Sequence, residues 1–72
     1  MTHKEILTAF RNGKTKVVHT CDKSGEEIVC TIVRAGAKQI HIAYSEYFTQ
    51  KYYSRGDINW DYPMLTSIYE GA

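Results

Sequence analysis

Three side chains that could do chemistry, His19, Cys21 and Cys30, come close together in the sheet that the sequence predicts. Thiolate and imidazole groups are ligands that zinc prefers, and a structural zinc site usually takes four of them. A fourth ligand is missing, because His41 alternates to the opposite face of its strand and the sequence has no Cys-x-x-Cys pair. The sequence therefore predicts no metal site and no cofactor.

The same three residues also make a poor catalytic group. A cysteine nucleophile needs an accessible cleft and a third group that orients its histidine, whereas both cysteines occupy mid-strand positions on the predicted core face. They lie diagonally to each other, so a disulfide would be strained and we expect two free, buried thiols. The sequence contains no glycine-rich phosphate loop, nucleophile elbow or paired acidic motif, and we therefore expect a protein that is not an enzyme.

Charge is unevenly distributed along the chain, although the net charge is only +1. From residue 56 to the end there are three acidic residues and no lysine or arginine, whereas the first twenty residues contain a single acid. The basic residues of that first segment form a candidate nucleic-acid-binding set: Lys4, Arg11, Lys14 and Lys16. The alternative interpretation is an ordinary solvated surface, and the nearly balanced net charge makes nucleic acid the less favoured partner.

Aromatic residues are concentrated in the C-terminal half, where eight of the nine lie from Tyr44 onward. A chain of 72 residues cannot bury all of them, and tyrosine and tryptophan dominate the binding energy of protein interfaces. We expect Tyr44, Phe48 and Ile58 to point inward. The predicted partner-binding surface consists of Tyr47, Tyr53, Trp60, Asp61 and Tyr62.

A predicted three-stranded antiparallel meander over residues 14–44 positions the central residues. In its first hairpin, a two-residue turn at Ser24 and Gly25 sets His19 opposite Cys30. Because side chains alternate along a strand, Val17, His19 and Cys21 then share one face with Ile28, Cys30 and Ile32.

The second predicted hairpin leads to the same buried face. A three-residue turn with Gly36 near the left-handed conformation sets Ile32 opposite Ile40 and Cys30 opposite Ile42. Two separate turn signals therefore agree on which side chains form the core.

The segments that flank the meander predict one helix and an ambiguous tail. Residues 2–5 form a capping box that starts a helix, whose apolar stripe Ile6, Leu7 and Phe10 packs on the sheet before a stop at residues 12–13. Residues 45–53 favour a second short helix, with a continued strand as the alternative. Residues 54–57 form a turn, and residues 63–70 form a final strand or a helical turn.

These elements together predict one small α+β domain over residues 1–72, with an N-terminal helix on an antiparallel sheet. So small a core gains from self-association, and a homo-oligomer is therefore one of the alternatives for a partner. No apolar run approaches the roughly 20 residues that a membrane helix needs. The N-terminus lacks the apolar stretch of an export signal, and we expect a cytoplasmic protein without a membrane partner.

The opening segment resembles that of many small phage and prophage proteins, in which a short helix ends in Gly-Lys and enters a sheet. The resemblance rests on Glu5-Ile6-Leu7, Ala9-Phe10, Gly13-Lys14 and Lys16-Val17. One such group, the anti-defence proteins that sequester nucleotide signals, often has a tryptophan after the first strand, where this chain has His19-Thr20-Cys21. The resemblance implies an accessory protein of a virus or mobile element and carries over no binding residues.

The sequence thus favours a small non-enzymatic binding protein that inhibits or modulates a larger host or defence protein through its C-terminal aromatic and acidic surface. One alternative is a nucleic-acid-binding regulatory module that uses the N-terminal basic set. The other is an oligomer that sequesters a small ligand such as a nucleotide.

Overall fold

The computed structural model describes residues 1–70. One helix precedes five strands: α1 (His3–Arg11), β1 (Lys16–Thr20), β2 (Glu27–Ala35), β3 (Gln39–Ala43), β4 (Thr49–Tyr53) and β5 (Leu65–Tyr69). The strands form a single sheet in the order β4-β3-β2-β1-β5, and every neighbouring pair is antiparallel. The α+β class is confirmed, but the sheet has five strands where a three-stranded meander with a C-terminal helix, an edge strand or both was predicted.

Helix α1 begins at the predicted capping box. The Thr2 hydroxyl accepts from the amide of Glu5 at 3.2 Å, and the Glu5 carboxylate accepts from the amide of Thr2 at 2.9 Å. Ile6 and Leu7 are buried against the sheet, and the helix ends at Asn12 before Gly13, whose φ is 89°. Both predicted ends of the helix are confirmed.

The first hairpin has the predicted faces but a different register. A four-residue turn over residues 22–25, whose glycine has a φ of 72°, replaces the predicted two-residue turn. His19 therefore lies opposite Ile28, and Cys30 lies opposite Val17. The register is shifted by two residues, and because side chains alternate with a period of two, the same side chains keep the face that packs on α1. The expected burial fails at the end of the hairpin near the turn, where Ile28 is 43% exposed and Cys21 is only partly buried.

The second hairpin also departs from the predicted register. Ile32 pairs with Ile42, and a β-bulge lies between Ile32 and Arg34. The turn is closed by a bond from the amide of Gly36 to the carbonyl of Gln39 at 2.9 Å, and Gly36 is not left-handed as predicted. The extra residue of the bulge lets the shorter turn form while the isoleucines stay in the core.

The predicted helix over residues 45–53 is wrong. Residues 49–53 form β4, which pairs with β3 along its whole length. Ser45 does not cap a helix, since its hydroxyl accepts from the amides of Tyr47 and Phe48 within the turn before β4. Tyrosine and threonine favour a pleated surface, and pairing with β3 turns Tyr52 toward the core.

The tail adopts the strand alternative. Strand β5 follows Pro63 and pairs with β1, so that the end of the chain lies beside the strand that follows the helix. The segment before it runs past the start of α1, where the amide of His3 donates to the carbonyl of Trp60 and the amide of Lys4 donates to that of Ile58, both at 2.8 Å. These bonds satisfy helix donors that have no partner within the helix.

His3 fastens the helix to the sheet. Its side chain is fully buried, with Nε2 2.6 Å from the carbonyl oxygen of Gly36 and Nδ1 2.9 Å from the hydroxyl of Tyr62. A carbonyl oxygen can only accept, so Nε2 donates to it, and in the neutral ring Nδ1 accepts from the Tyr62 hydroxyl. One side chain thus joins α1 to the β2–β3 turn and to the segment before β5.

Candidate functional site

The side of the sheet opposite α1 is uncovered, and we call it the open face. Val29 and Val33 are 53% and 54% exposed, and no second helix exists among residues 1–70 to cover them. Its apolar side chains are Val18, Val29, Val33, Tyr53 and Tyr69. Exposed apolar patches of this kind mark interaction sites more often than ordinary surface.

A row of basic side chains crosses the open face. Arg34 pairs with His41, and His41 pairs with Lys51, so that the row spans β2, β3 and β4. Lys16 lies on the same face of β1, and alternation places one carboxylate there among the five strands, that of Glu27 at the start of β2. Arg34 and Lys51 are not balanced by a carboxylate in this row, which indicates a surface suited to an acidic partner.

The predicted basic set is not brought together. Lys4 and Arg11 lie on the exposed side of α1, and Lys14 follows the helix. Lys16 lies on the open face, on the other side of the sheet from α1. The basic row was not predicted. His41 alternates with the core residues Ile40 and Ile42, but Arg34 is two positions from the buried Ile32 and reaches the open face only through the β-bulge between them, which the sequence does not show.

The predicted aromatic surface is also divided. Tyr47 is 94% exposed in the turn before β4, whereas Tyr53 lies at the other end of that strand. Trp60 and Asp61 are exposed in the segment between β4 and β5. The five predicted residues therefore do not form one patch.

Tyr62 is a correction to the predicted surface. It is only 2% exposed, because its ring packs in the core and its hydroxyl bonds to His3. The expectation that Phe48 and Ile58 point inward is also wrong, since both are exposed, while Tyr44 is partly buried. Tyr62 lies in the core because backbone hydrogen bonds hold the segment before β5 against the start of α1.

The acidic residues of the C-terminal segment serve local structure. The Asp61 carboxylate lies 3.4 Å from the amino group of Met1, and the Asp57 carboxylate accepts from the amide of Asn59 at 2.9 Å. Both acids therefore have partners within the chain, which weakens the predicted acidic surface.

A cavity of about 430 Å³ lies at the end of β4 and is lined by Lys38, Tyr53, Arg55 and Gly56. Beside it, the Arg55 guanidinium lies over the ring of Trp60, 5.4 Å from its centroid. Two of the predicted aromatic residues, Tyr53 and Trp60, thus lie next to cations.

The residues that could do chemistry are not all brought together, because Cys21 lies opposite Glu26 at the turn whereas Cys30 lies opposite Val17. His19 packs edge-on against Tyr44 with ring centroids 5.5 Å apart, and its Nδ1 atom has no hydrogen-bond partner among the described residues. Both cysteines are free thiols, and only Cys30 is fully buried. Residues 1–70 contain no group of three or more metal-ligating side chains.

Two tyrosines complete this part of the core. The hydroxyl groups of Tyr44 and Tyr52 bond to each other, and burial, followed by this bond, raises the pKa of Tyr44. Burial likewise raises the pKa of the Cys30 thiol. Neither group is therefore prepared for proton transfer or nucleophilic attack near neutral pH.

Comparisons with known proteins add no identification. No protein family, no curated protein and no solved structure matches this chain. Within residues 1–70, no helix has the length and apolar character that crossing a membrane requires. The function is therefore inferred from the residues and surfaces of the chain itself.

Proposed function

We propose that the protein is a small non-enzymatic binding protein whose open face contacts a larger protein partner. The observation that supports this most directly is the exposure of Val29 and Val33 at the centre of the sheet. Aliphatic side chains contribute to a protein interface by losing contact with water. They offer little to a phosphate or a nucleobase, for which cations and aromatic rings are the usual contacts.

The surroundings of these valines define the chemistry of the partner. Lys16 and the row of Arg34, His41 and Lys51 border the apolar centre, so a complementary surface is apolar in its middle and acidic at its rim. The molecule measures 29 × 28 × 21 Å. An interface of standard size takes roughly 800 Å² from each partner, so in a molecule of these dimensions the partner would have to contact most of one side.

The resemblance of residues 5–17 to small phage proteins supports a host or defence protein as that partner. In this proposal, binding itself blocks or modulates the partner, and no reaction is required. Tyr53 and Tyr69 extend the open face to the two edge strands. Tyr47, Trp60 and Asp61 lie outside it, and their predicted contact with a partner stays a prediction.

The test is capture of partners from a nuclease-treated bacterial lysate with tagged protein, read by mass spectrometry. A Val29→Asp/Val33→Asp variant places charge at the centre of the open face, and Thr8→Asp places it on the exposed side of α1 as the matched control. We expect a partner that the first variant loses and the control retains. A partner captured equally by all three proteins would contradict a role for the open face.

Single-stranded nucleic acid is a second candidate, favoured by one observation. Arg34, His41 and Lys51 are adjacent, and no carboxylate forms an ion pair with them among residues 1–70. Binding of a labelled oligonucleotide would weaken steeply with salt and further on Lys51→Gln, since each phosphate contact releases counterions. Salt-insensitive capture of a protein that survives nuclease treatment would exclude this candidate as the main function.

A further inference from the structure

The cavity at the end of β4 lies beyond the apolar centre of the open face and has the features of a small-ligand site. Its volume of about 430 Å³ falls in the range of roughly 300 to 1,000 Å³ that small-molecule sites occupy. The lining combines two cations, Lys38 and Arg55, with the exposed ring of Tyr53 and the backbone of Gly56.

A buried serine holds the two sides of this cavity together. Ser54 is fully buried, and its hydroxyl lies 3.2 Å from the carbonyl oxygens of both Ala37 and Lys38. Its own amide donates to the carbonyl of Lys38 at 2.8 Å, and its hydroxyl accepts from the amide of Gly56 at 3.3 Å. The turn that carries Lys38 is thereby fixed to the turn that carries Arg55.

The backbone of Arg55, beside the cavity, is in a left-handed conformation. Its φ of 56° is the only positive φ of a non-glycine residue among residues 1–70, and Gly56 follows with a φ of 84°. A left-handed arginine costs free energy that a glycine would avoid, and such strain is concentrated at functional sites. The guanidinium of this residue lies beside the cavity and over Trp60.

The two cations have no counter-charge within the described chain. The one ion pair among residues 1–70 joins the amino group of Met1 to Asp61. The nearest acid in sequence, Asp57, accepts from the amide of Asn59. Lys38 and Arg55 are therefore available to an anion, and guanidinium and ammonium groups are the usual ligands of phosphate.

We propose that this cavity binds a nucleotide, as a phosphate ester that carries a planar ring. Lys38 and Arg55 contact the phosphate, and the ring stacks on Tyr53, which is exposed at the cavity. Stacking on tyrosine accepts any base because every base has a flat face. The site goes beyond the proposed protein interface, whose centre is aliphatic.

The only tryptophan of the chain gives the experiment its readout. Because the Arg55 guanidinium lies over the Trp60 ring, a phosphate that draws Arg55 away changes the fluorescence of Trp60. The probes are AMP, UMP, adenosine, ribose 5-phosphate and inorganic phosphate, titrated into the purified full chain. We expect both nucleotides to bind, and adenosine and inorganic phosphate to bind at least about tenfold more weakly.

Three variants assign the contacts. Arg55→Gly removes the cation and relieves the positive φ, so we expect a melting temperature equal to or above that of the wild type together with loss of nucleotide binding. Binding to this variant is followed by NMR shift changes, because the contact that reports through Trp60 is absent from it. Tyr53→Leu should weaken the binding of nucleotides and leave the binding of ribose 5-phosphate unchanged. Lys4→Gln, which removes a cation from the exposed side of α1, is the control and should bind like the wild type.

The source of the nucleotide is decided by a parallel titration with a short 5′-phosphorylated oligonucleotide and its unphosphorylated form. Preference for the phosphorylated oligonucleotide over AMP would assign the site to the end of a strand, and the reverse would assign it to free nucleotides. Binding that is unchanged in Arg55→Gly, or the absence of any Trp60 or NMR shift change at millimolar nucleotide, would overturn the proposal.

Discussion

The two faces of the sheet contain similar amounts of β-branched and aromatic side chains but have different surroundings. On the face under α1, Val17, Ile40 and Ile42 are fully buried, and their contribution is to stability. On the open face, Val29 and Val33 remain about half exposed, beside a row of basic side chains. The comparison teaches that apolar residues on a strand do not by themselves identify a core, since the same residue types can serve a binding surface.

The largest expected effect separates the two faces directly. Ile40→Ala removes fully buried atoms and leaves a cavity, which should lower the free energy of unfolding by about 2 to 5 kcal/mol. Val29→Ala on the open face should change it by no more than about 0.5 kcal/mol. Urea unfolding followed by circular dichroism measures both values.

A similar loss of stability in the two variants would contradict the difference between the two faces, because it would mean that Val29 is covered in solution. Self-association through the open face is the simplest cause of such a result. Repeating the unfolding at several protein concentrations would identify it, since only an oligomer becomes more stable as the concentration rises.

The next effect concerns tyrosine hydroxyls on the two faces. Tyr62→Phe removes the hydroxyl that bonds to Nδ1 of the fully buried His3, and an unpaired buried polar group costs about 1 to 3 kcal/mol. Tyr69→Phe is the matched control on the open face, where the side chain is exposed. We expect no measurable loss in the control, and equal losses in the two variants would contradict the role given to His3.

A smaller effect is expected at the start of the helix that covers one face. Thr2→Ala removes one half of the capping box and should cost about 1 kcal/mol. The amide and then the hydroxyl of Thr2 lower the pKa of Glu5. The contribution of Glu5 is therefore present above the ordinary pKa of a glutamate and is lost as the pH falls through the lowered value.

The pH dependence gives this prediction a second readout. In Thr2→Ala the pKa of Glu5 should rise toward its ordinary value, as followed by NMR of the Glu5 side chain. Glu5→Gln serves as the control, because its stability should lack this acid-dependent component. A Glu5 pKa that does not move in Thr2→Ala would show that the hydroxyl does not contribute to the shift.

The sequence predicted the faces of the sheet better than its register. A shift of two residues in both hairpins leaves Cys30 and Ile32 on the core side, so alternation alone could locate the core. The register depended on turn length, and Asp22-Lys23-Ser24-Gly25 supports turns of two or four residues equally well by composition.

The other failures have a common physical cause in long-range pairing. The local sequence of residues 49–53 fits a short helix as well as a strand. These residues form a strand because they pair with the edge of β3. Tyr62 resembled a surface residue in the sequence. Its burial depends on a hydrogen bond to His3, which lies 59 residues earlier in the chain. The open face was missed because a face is exposed only when nothing else in the chain covers it, which no local pattern shows.

The smallest expected effect concerns the chemical reactivity of the two cysteines, which differ in burial. Hydrogen bonds from Ser24, first from its side chain and then from its backbone, lower the pKa of the partly exposed Cys21 thiol. Burial raises the pKa of the Cys30 thiol. The thiolate is the reactive form, so iodoacetamide should modify Cys21 rapidly and Cys30 only when the core opens. Ser24→Ala should shift the pH dependence of Cys21 alkylation upward without changing Cys30, as followed by mass spectrometry of the digested protein. Equal alkylation rates at Cys21 and Cys30 would show that the core is open to solvent at Cys30, in contradiction to its burial.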